Sequence, residues 1–148
     1  MIDLTTLQSW TEKLGYAAAL ENPSTLRIQP REQGIVALPP FFVQCTEHWV
    51  LLSMFNVLDS HGLSGRPRND GLSAFWENPT LQMKVLRRLL EANREMQVAK
   101  FALTGRDDIL LCAELPTESL DQSEFGDAVE RMMEYATTYR RLLPGVGV

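Results

Sequence analysis

Residues that do chemistry are scarce in this chain. Two histidines, His48 and His61, and two cysteines, Cys45 and Cys112, are all that 148 residues contain. No metal-type spacing surrounds either cysteine and there is no Cys-x-x-Cys, which argues against a zinc site or a dithiol redox motif. Their apolar, strand-like settings fit two buried thiols in a reducing compartment better than a disulfide. A His-Glu-x-x-His helix is absent, as are the glycine loops of P-loop and dinucleotide-binding proteins. No apolar run approaches the ~20 residues of a membrane span, and the opening MIDLTTLQSW lacks the pattern of a signal peptide. The expectation is a cytoplasmic protein with no membrane partner. An excess of positive charge is missing too: the net charge is −5 and the pI about 5.0, so nucleic acid is not expected as a partner. Neither an internal repeat nor a low-complexity tract is present.

What remains is an ordinary globular mixture, 45% hydrophobic and 22% charged, of a length that suits one domain over residues 1–148. A chain of this size buries roughly 70% of the surface it exposes unfolded and needs no crosslink or cofactor to fold. Charge is unevenly placed. From Asp107 to Glu134 the only basic side chain is Arg131, whereas Lys84, Arg87, Arg88 and Arg94 cluster around Glu91. On a helix, such a basic cluster reads first as a solvated face.

Leu4, Leu7, Trp10 and Leu14 recur at helical spacing, with Asp3 or Thr5 as cap and Gly15 as stop. Tyr16 to Leu20 reads equally as helix tail or short strand. After the turn at Asn22-Pro23-Ser24, Leu26 and Ile28 alternate as in a strand, and Ile35 to Leu38 reads as another, ended by Pro39-Pro40. Phe41 to Val57 is the strongest β signal, with a turn near Thr46-Glu47. Trp49, Leu51, Ser53 and Phe55 alternate there with Val50, Leu52 and Met54, so both faces of the strand are apolar. Asp59 to Ser73 has the glycine, proline and polar content of a mobile loop. Asn78-Pro79 opens a helix with the stripe Leu81, Val85, Leu86, Leu89 and Leu90. Val98 to Leu103 and Ile109 to Ala113 form a hairpin around Thr104 to Asp108. Asp121 and Glu124 have capping-box spacing ahead of a final amphipathic helix through Phe125, Val129, Met132, Ala136 and Tyr139. The expected fold is α+β in the order α-β-β-β-α-β-β-α, a curved five-stranded antiparallel sheet with helices packed on one face.

Candidate chemistry is thin. His61 lies near Asp59, Ser64 and Arg66, yet Gly62-Leu63-Ser64-Gly65 does not complete a nucleophile elbow. His48 beside Trp49 reads as structural, and Asp107-Asp108 as turn residues. No catalytic, cofactor or metal residue is assigned. Methionine side chains repack around varied partners, so Met83, Met132 and Met133 suit either the core or an adaptable groove. Trp49, Leu51, Phe55, Met83 and Met133 are the candidate surface for a partner or a second copy.

The segment from Leu89 to Leu143 carries a helix ending near Asn93 and a Lys-Phe-x-Leu strand, Lys100 to Leu103. An acidic hairpin turn, a second strand ending in Glu114-Leu115-Pro116 and a long closing helix follow. In this the chain resembles the type III secretion chaperone-like superfamily, including its YbjN-like branch. The resemblance implies a bacterial, dimeric α+β protein that binds segments of partner proteins without catalysis and without a cofactor. The leading expectation is thus a homodimeric protein-binding module, chaperone-like or regulatory. The alternatives are a small enzyme or ligand-binding protein using the 59–73 loop, and a structural subunit of a complex.

Overall fold

The computed structural model describes residues 2–30, 38–55, 57, 77–106 and 108–140. The expected strand over Ile35 to Leu38 lies outside these residues, apart from Leu38, which is in no strand. The loop from Asp59 to Ser73, with His61 and its neighbours, lies outside them altogether.

Helix α1 spans Leu4–Lys13. Its cap is Asp3, whose carboxylate accepts from the Thr6 N–H at 2.8 Å. These hydrogen bonds hold the Asp3 carboxyl below its usual range. Gly15, at φ 91°, ends the helix in a backbone conformation that glycine tolerates without strain. Strands β1 (Ala17–Asn22) and β2 (Thr25–Gln29) then form a hairpin. The ambiguous segment after Tyr16 is therefore strand. Its alanines favour helix locally, but pairing with β2 settles the matter.

Strands β3 (Phe41–Cys45) and β4 (Trp49–Phe55) are joined by a tight turn. The Thr46 N–H donates to the Trp49 carbonyl at 2.8 Å, and the Trp49 N–H to the Thr46 hydroxyl at 3.0 Å. Helix α2 runs Pro79–Glu95 with Asn78 as cap and proline at its start. Strands β5 (Ala99–Leu103) and β6 (Ile109–Pro116) form the expected hairpin, with the Thr104 hydroxyl accepting from the Arg106 and Asp108 N–H groups. Helix α3 spans Gln122–Tyr139, capped by the Asp121 carboxylate on the Glu124 N–H at 2.8 Å.

Among the described residues the architecture is α+β: three helices and one antiparallel sheet in the order β1-β2-β3-β4-β6-β5. The described residues give the sheet six strands where five are expected, and their element order is α-β-β-β-β-α-β-β-α. The extra strand comes from β1 and from dividing Phe41 to Val57 into two, while Ile35 to Leu38 contributes none that is described. Val98 was also expected in β5. It lies outside the strand because its φ is +71°.

One face of the sheet carries the core. Leu26, Ile28, Phe41, Val43, Val50, Leu52, Met54, Phe101, Leu111 and Ala113 are buried together with Leu7 of α1, Val85 and Leu89 of α2, and Phe125, Val129, Met132 and Met133 of α3. Trp10 and Phe125, with ring centroids 5.9 Å apart, join α1 to α3. Alternation along the strands sends the other set of side chains to the opposite face.

Candidate protein-binding surfaces

Besides Leu20 and Val98, two regions outside the core present large apolar side chains. The first is the sheet face opposite the core. Here register aligns Phe42 with Ser53, Ser53 with Cys112, and Cys112 with Lys100, while Leu51 lies between Gln44 and Glu114. Trp49 is 46% exposed, whereas Leu51 and Phe55 are half-buried. The Phe42 and Phe55 rings meet at a tilt of 57°, with 6.2 Å between centroids. This face is mixed, with apolar side chains interleaved with Gln44, Glu114 and Lys100.

The second region lies where α2 meets the outer strand β5. Leu86, Leu89, Leu90, Asn93, Phe101, Ala102 and Leu103 line a groove of about 340 Å³ there. Leu90 is 69% exposed and Leu103 47%. Met83, one heptad before Leu90 and therefore on the same side of the helix, is 75% exposed. The apolar stripe on α2 does not face the core throughout. It is too wide for that, because among the described residues the sheet ends at β5: Val85, Leu89 and Ala92 are buried and Leu81 and Leu86 partly so, while Leu90 is left in solvent.

Of the residues expected on a partner surface, the structure leaves Trp49 and Met83 exposed and Leu51 and Phe55 half-exposed. Met133 is different: at 4% exposure it belongs to the core beneath α3. Sequence reasoning missed the exposure of Leu90 and Leu103. Helical spacing shows which residues share a face but not where the sheet beneath them stops.

A larger groove of about 830 Å³ lies at the opposite end, between the start of α1, the β1–β2 turn and the β3–β4 turn. Cys45 lines it, with its thiol donating to the Ile2 carbonyl at 3.5 Å. Burial and the nearby Asp3 charge push that thiol up, and burial followed by Glu114 does the same for Cys112. Both cysteines are free thiols. Raised thiols are poor nucleophiles, since the thiolate is the reactive form. His48 is exposed and lies 3.9 Å from the equally exposed Glu47, an arrangement with no nucleophile to activate. Among the described residues no group of three or more His, Cys, Asp or Glu side chains could hold a metal ion. No described helix is long and apolar enough to cross a membrane.

An open antiparallel sheet with helices on one face and apolar side chains left outside the core is the class of fold the described residues define, and comparison with known proteins finds the same fold elsewhere. The sequence pattern of the Tir chaperone protein (CesT) family matches residues 72–140. The whole fold is similar to a chain in the heterodimeric ExoU-SpcU complex from the type III secretion system of Pseudomonas aeruginosa. That similarity has a TM-score of 0.57 at 20% identity and covers 95% of this chain and 96% of that one. A chain of the HopA1-SchA chaperone-effector complex matches with a TM-score of 0.52 at 15% identity, covering 95% and 98%. A chain of the ExsC-ExsE complex matches at 0.51 and 15% identity, covering 97% and 98%. No curated protein matches in sequence. The YbjN-like branch rests on the sequence motifs alone.

Proposed function

We propose that this chain is a non-catalytic, chaperone-like protein-binding module that works in the cytoplasm as a single-domain homodimer. The observation that carries the reading is the apolar surface left outside the core, Met83, Leu90 and Leu103 around α2 and β5 together with Trp49 on the open sheet face. Exposed apolar patches of this kind mark interaction sites. A fold shared with chains from a heterodimeric type III secretion complex and a chaperone-effector complex supports a protein partner over a small-molecule substrate.

The two surfaces suit two tasks. The α2–β5 strip is apolar and lies at the end of the sheet, where a two-fold axis lets one patch serve both copies. The mixed face around Trp49, Leu51 and Phe55 suits a partner segment held reversibly, since polar neighbours keep it soluble when empty. Light scattering after size exclusion at micromolar concentration is expected to give twice the 16.8 kDa chain mass. A monomer mass that does not change on concentration refutes the homodimer. Affinity capture from the native host, read by mass spectrometry, tests the partner: a specific protein should be retained by the unaltered chain and lost with Trp49→Glu.

A further inference from the structure

Among the described residues β5 is the outermost strand at its end of the sheet, and its open edge is closed by a side chain. The Asn93 carboxamide, in the last turn of α2, donates from Nδ2 to the Phe101 carbonyl at 3.1 Å. Its Oδ1 accepts from the Phe101 N–H at 2.8 Å. One donor and one acceptor side by side on the same residue are what a neighbouring antiparallel strand presents. The aim of the carboxamide is fixed from behind. The Lys100 ammonium donates to the Asn93 carbonyl at 2.6 Å and also to the Met96 carbonyl, tying the helix end to the strand.

We propose that Asn93 is an edge guard. It occupies the hydrogen-bonding positions a seventh strand would take, and so closes β5 to pairing with a second copy or with an extended partner segment. Whatever covers the α2–β5 groove packs against it through side chains and does not extend the sheet. This holds whether or not the chain is a homodimer.

Two features favour a guard over mere local satisfaction of Phe101. Asn93 falls at the position that continues the Leu86, Leu89, Leu90 stripe into the groove, where helical periodicity calls for an apolar residue. The usual defence of an edge strand, a charge standing in the path of an incoming strand, is also weakened here. Lys100 is the only charged residue in Ala99–Leu103, and its ammonium is turned onto the helix end.

The test compares the full-length protein with Asn93→Ala by amide hydrogen exchange and by light scattering over a concentration series. In the unaltered protein the Phe101 amide is expected to be protected despite its edge position. In Asn93→Ala its exchange should rise about tenfold while amides of β4 stay unchanged. The mass should then climb with concentration beyond that of the unaltered protein. Adding Leu103→Pro to Asn93→Ala, which deletes an outward N–H without touching the β6 ladder, should restore the original mass. A folded Asn93→Ala protein with lost Phe101 protection but unchanged mass overturns the proposal. Should that variant not fold, the unaltered protein decides: a protected Phe101 amide upholds the closed edge, and exchange at the rate of an open edge overturns it.

Discussion

At the scale of single residues, the least expected feature is Val98. A β-branched side chain at φ +71° crowds its own backbone, and such positions cost roughly 1–3 kcal/mol. The strain is imposed from outside. The Gln97 N–H is fixed on the Tyr135 hydroxyl at 2.9 Å, and the Ala99 N–H folds back onto the Gln97 carbonyl at 2.8 Å. Between these two bonds only a tight three-residue turn fits. Val98 gains little burial in return, being 46% exposed. Val98→Gly removes the strain and adds only about 0.4–1 kcal/mol of unfolded-state entropy cost. A net stabilisation on the order of 1 kcal/mol is therefore expected, visible as a higher denaturant midpoint with an unchanged m-value. A lower midpoint would mean that the contacts of the valine outweigh its strain. Nothing in the sequence disclosed this residue. Val-Ala-Lys-Phe reads as the start of a strand, and the restraint on Gln97 comes from a helix 38 positions later.

At the scale of elements, legibility followed from how local the cause was. The caps at Asn78 and Asp121, the stop at Gly15 and the Thr104 turn each depend on a few neighbouring residues and stand where the sequence placed them, and of Asp3 and Thr5 it is Asp3 that caps α1. β1 was ambiguous because Ala17 to Leu20 carries no period of its own; its partner β2 decides. Helix α3 was clear from its stripe, yet it contains a glycine in its interior. Gly126 is buried, and a Cβ built there would meet Leu14 Cδ2 at 3.5 Å, an ordinary van der Waals contact. No turn or close approach needs the glycine, while glycine inside a helix is less favourable than alanine by about 0.5–1 kcal/mol. Gly126→Ala is accordingly expected to stabilise the protein by about that amount, raising the thermal midpoint by roughly 2–4 °C for each kcal/mol. Destabilisation would show that Leu14 cannot accept the added methyl, and that α1 and α3 are packed more tightly than the 3.5 Å distance implies.

At the scale of the whole molecule, the sheet has one committed face and one that is only partly covered, and its two ends differ. That asymmetry could be anticipated from β4, whose Trp49, Leu51, Ser53, Phe55 register is nearly as apolar as its core register. What could not be anticipated is where the uncovered surface is greatest. The half-burial of Leu51 and Phe55, with the tilted Phe42 ring against the latter, leaves Trp49 as the only large apolar side chain of β4 that is substantially exposed. Around α2, by contrast, Met83, Leu90 and Leu103 stand out together. Interface cores are depleted of charge, and α2 satisfies this only along one strip. On its flank Arg87 pairs with Glu91 at 3.1 Å in solvent. If the second copy docks on that strip, Leu90→Glu places an unpaired carboxylate at the centre of the buried patch in both subunits. The dimer should then dissociate at micromolar concentration. Trp49→Glu, on the other face, should leave the dimer mass intact. Both positions are exposed in the single chain, so neither change should move its unfolding free energy by more than about 0.5 kcal/mol. Light scattering on the two variants separates the surfaces. Loss of the dimer with Trp49→Glu but not with Leu90→Glu would put the two-fold axis on the open sheet face and leave the α2–β5 strip for the partner.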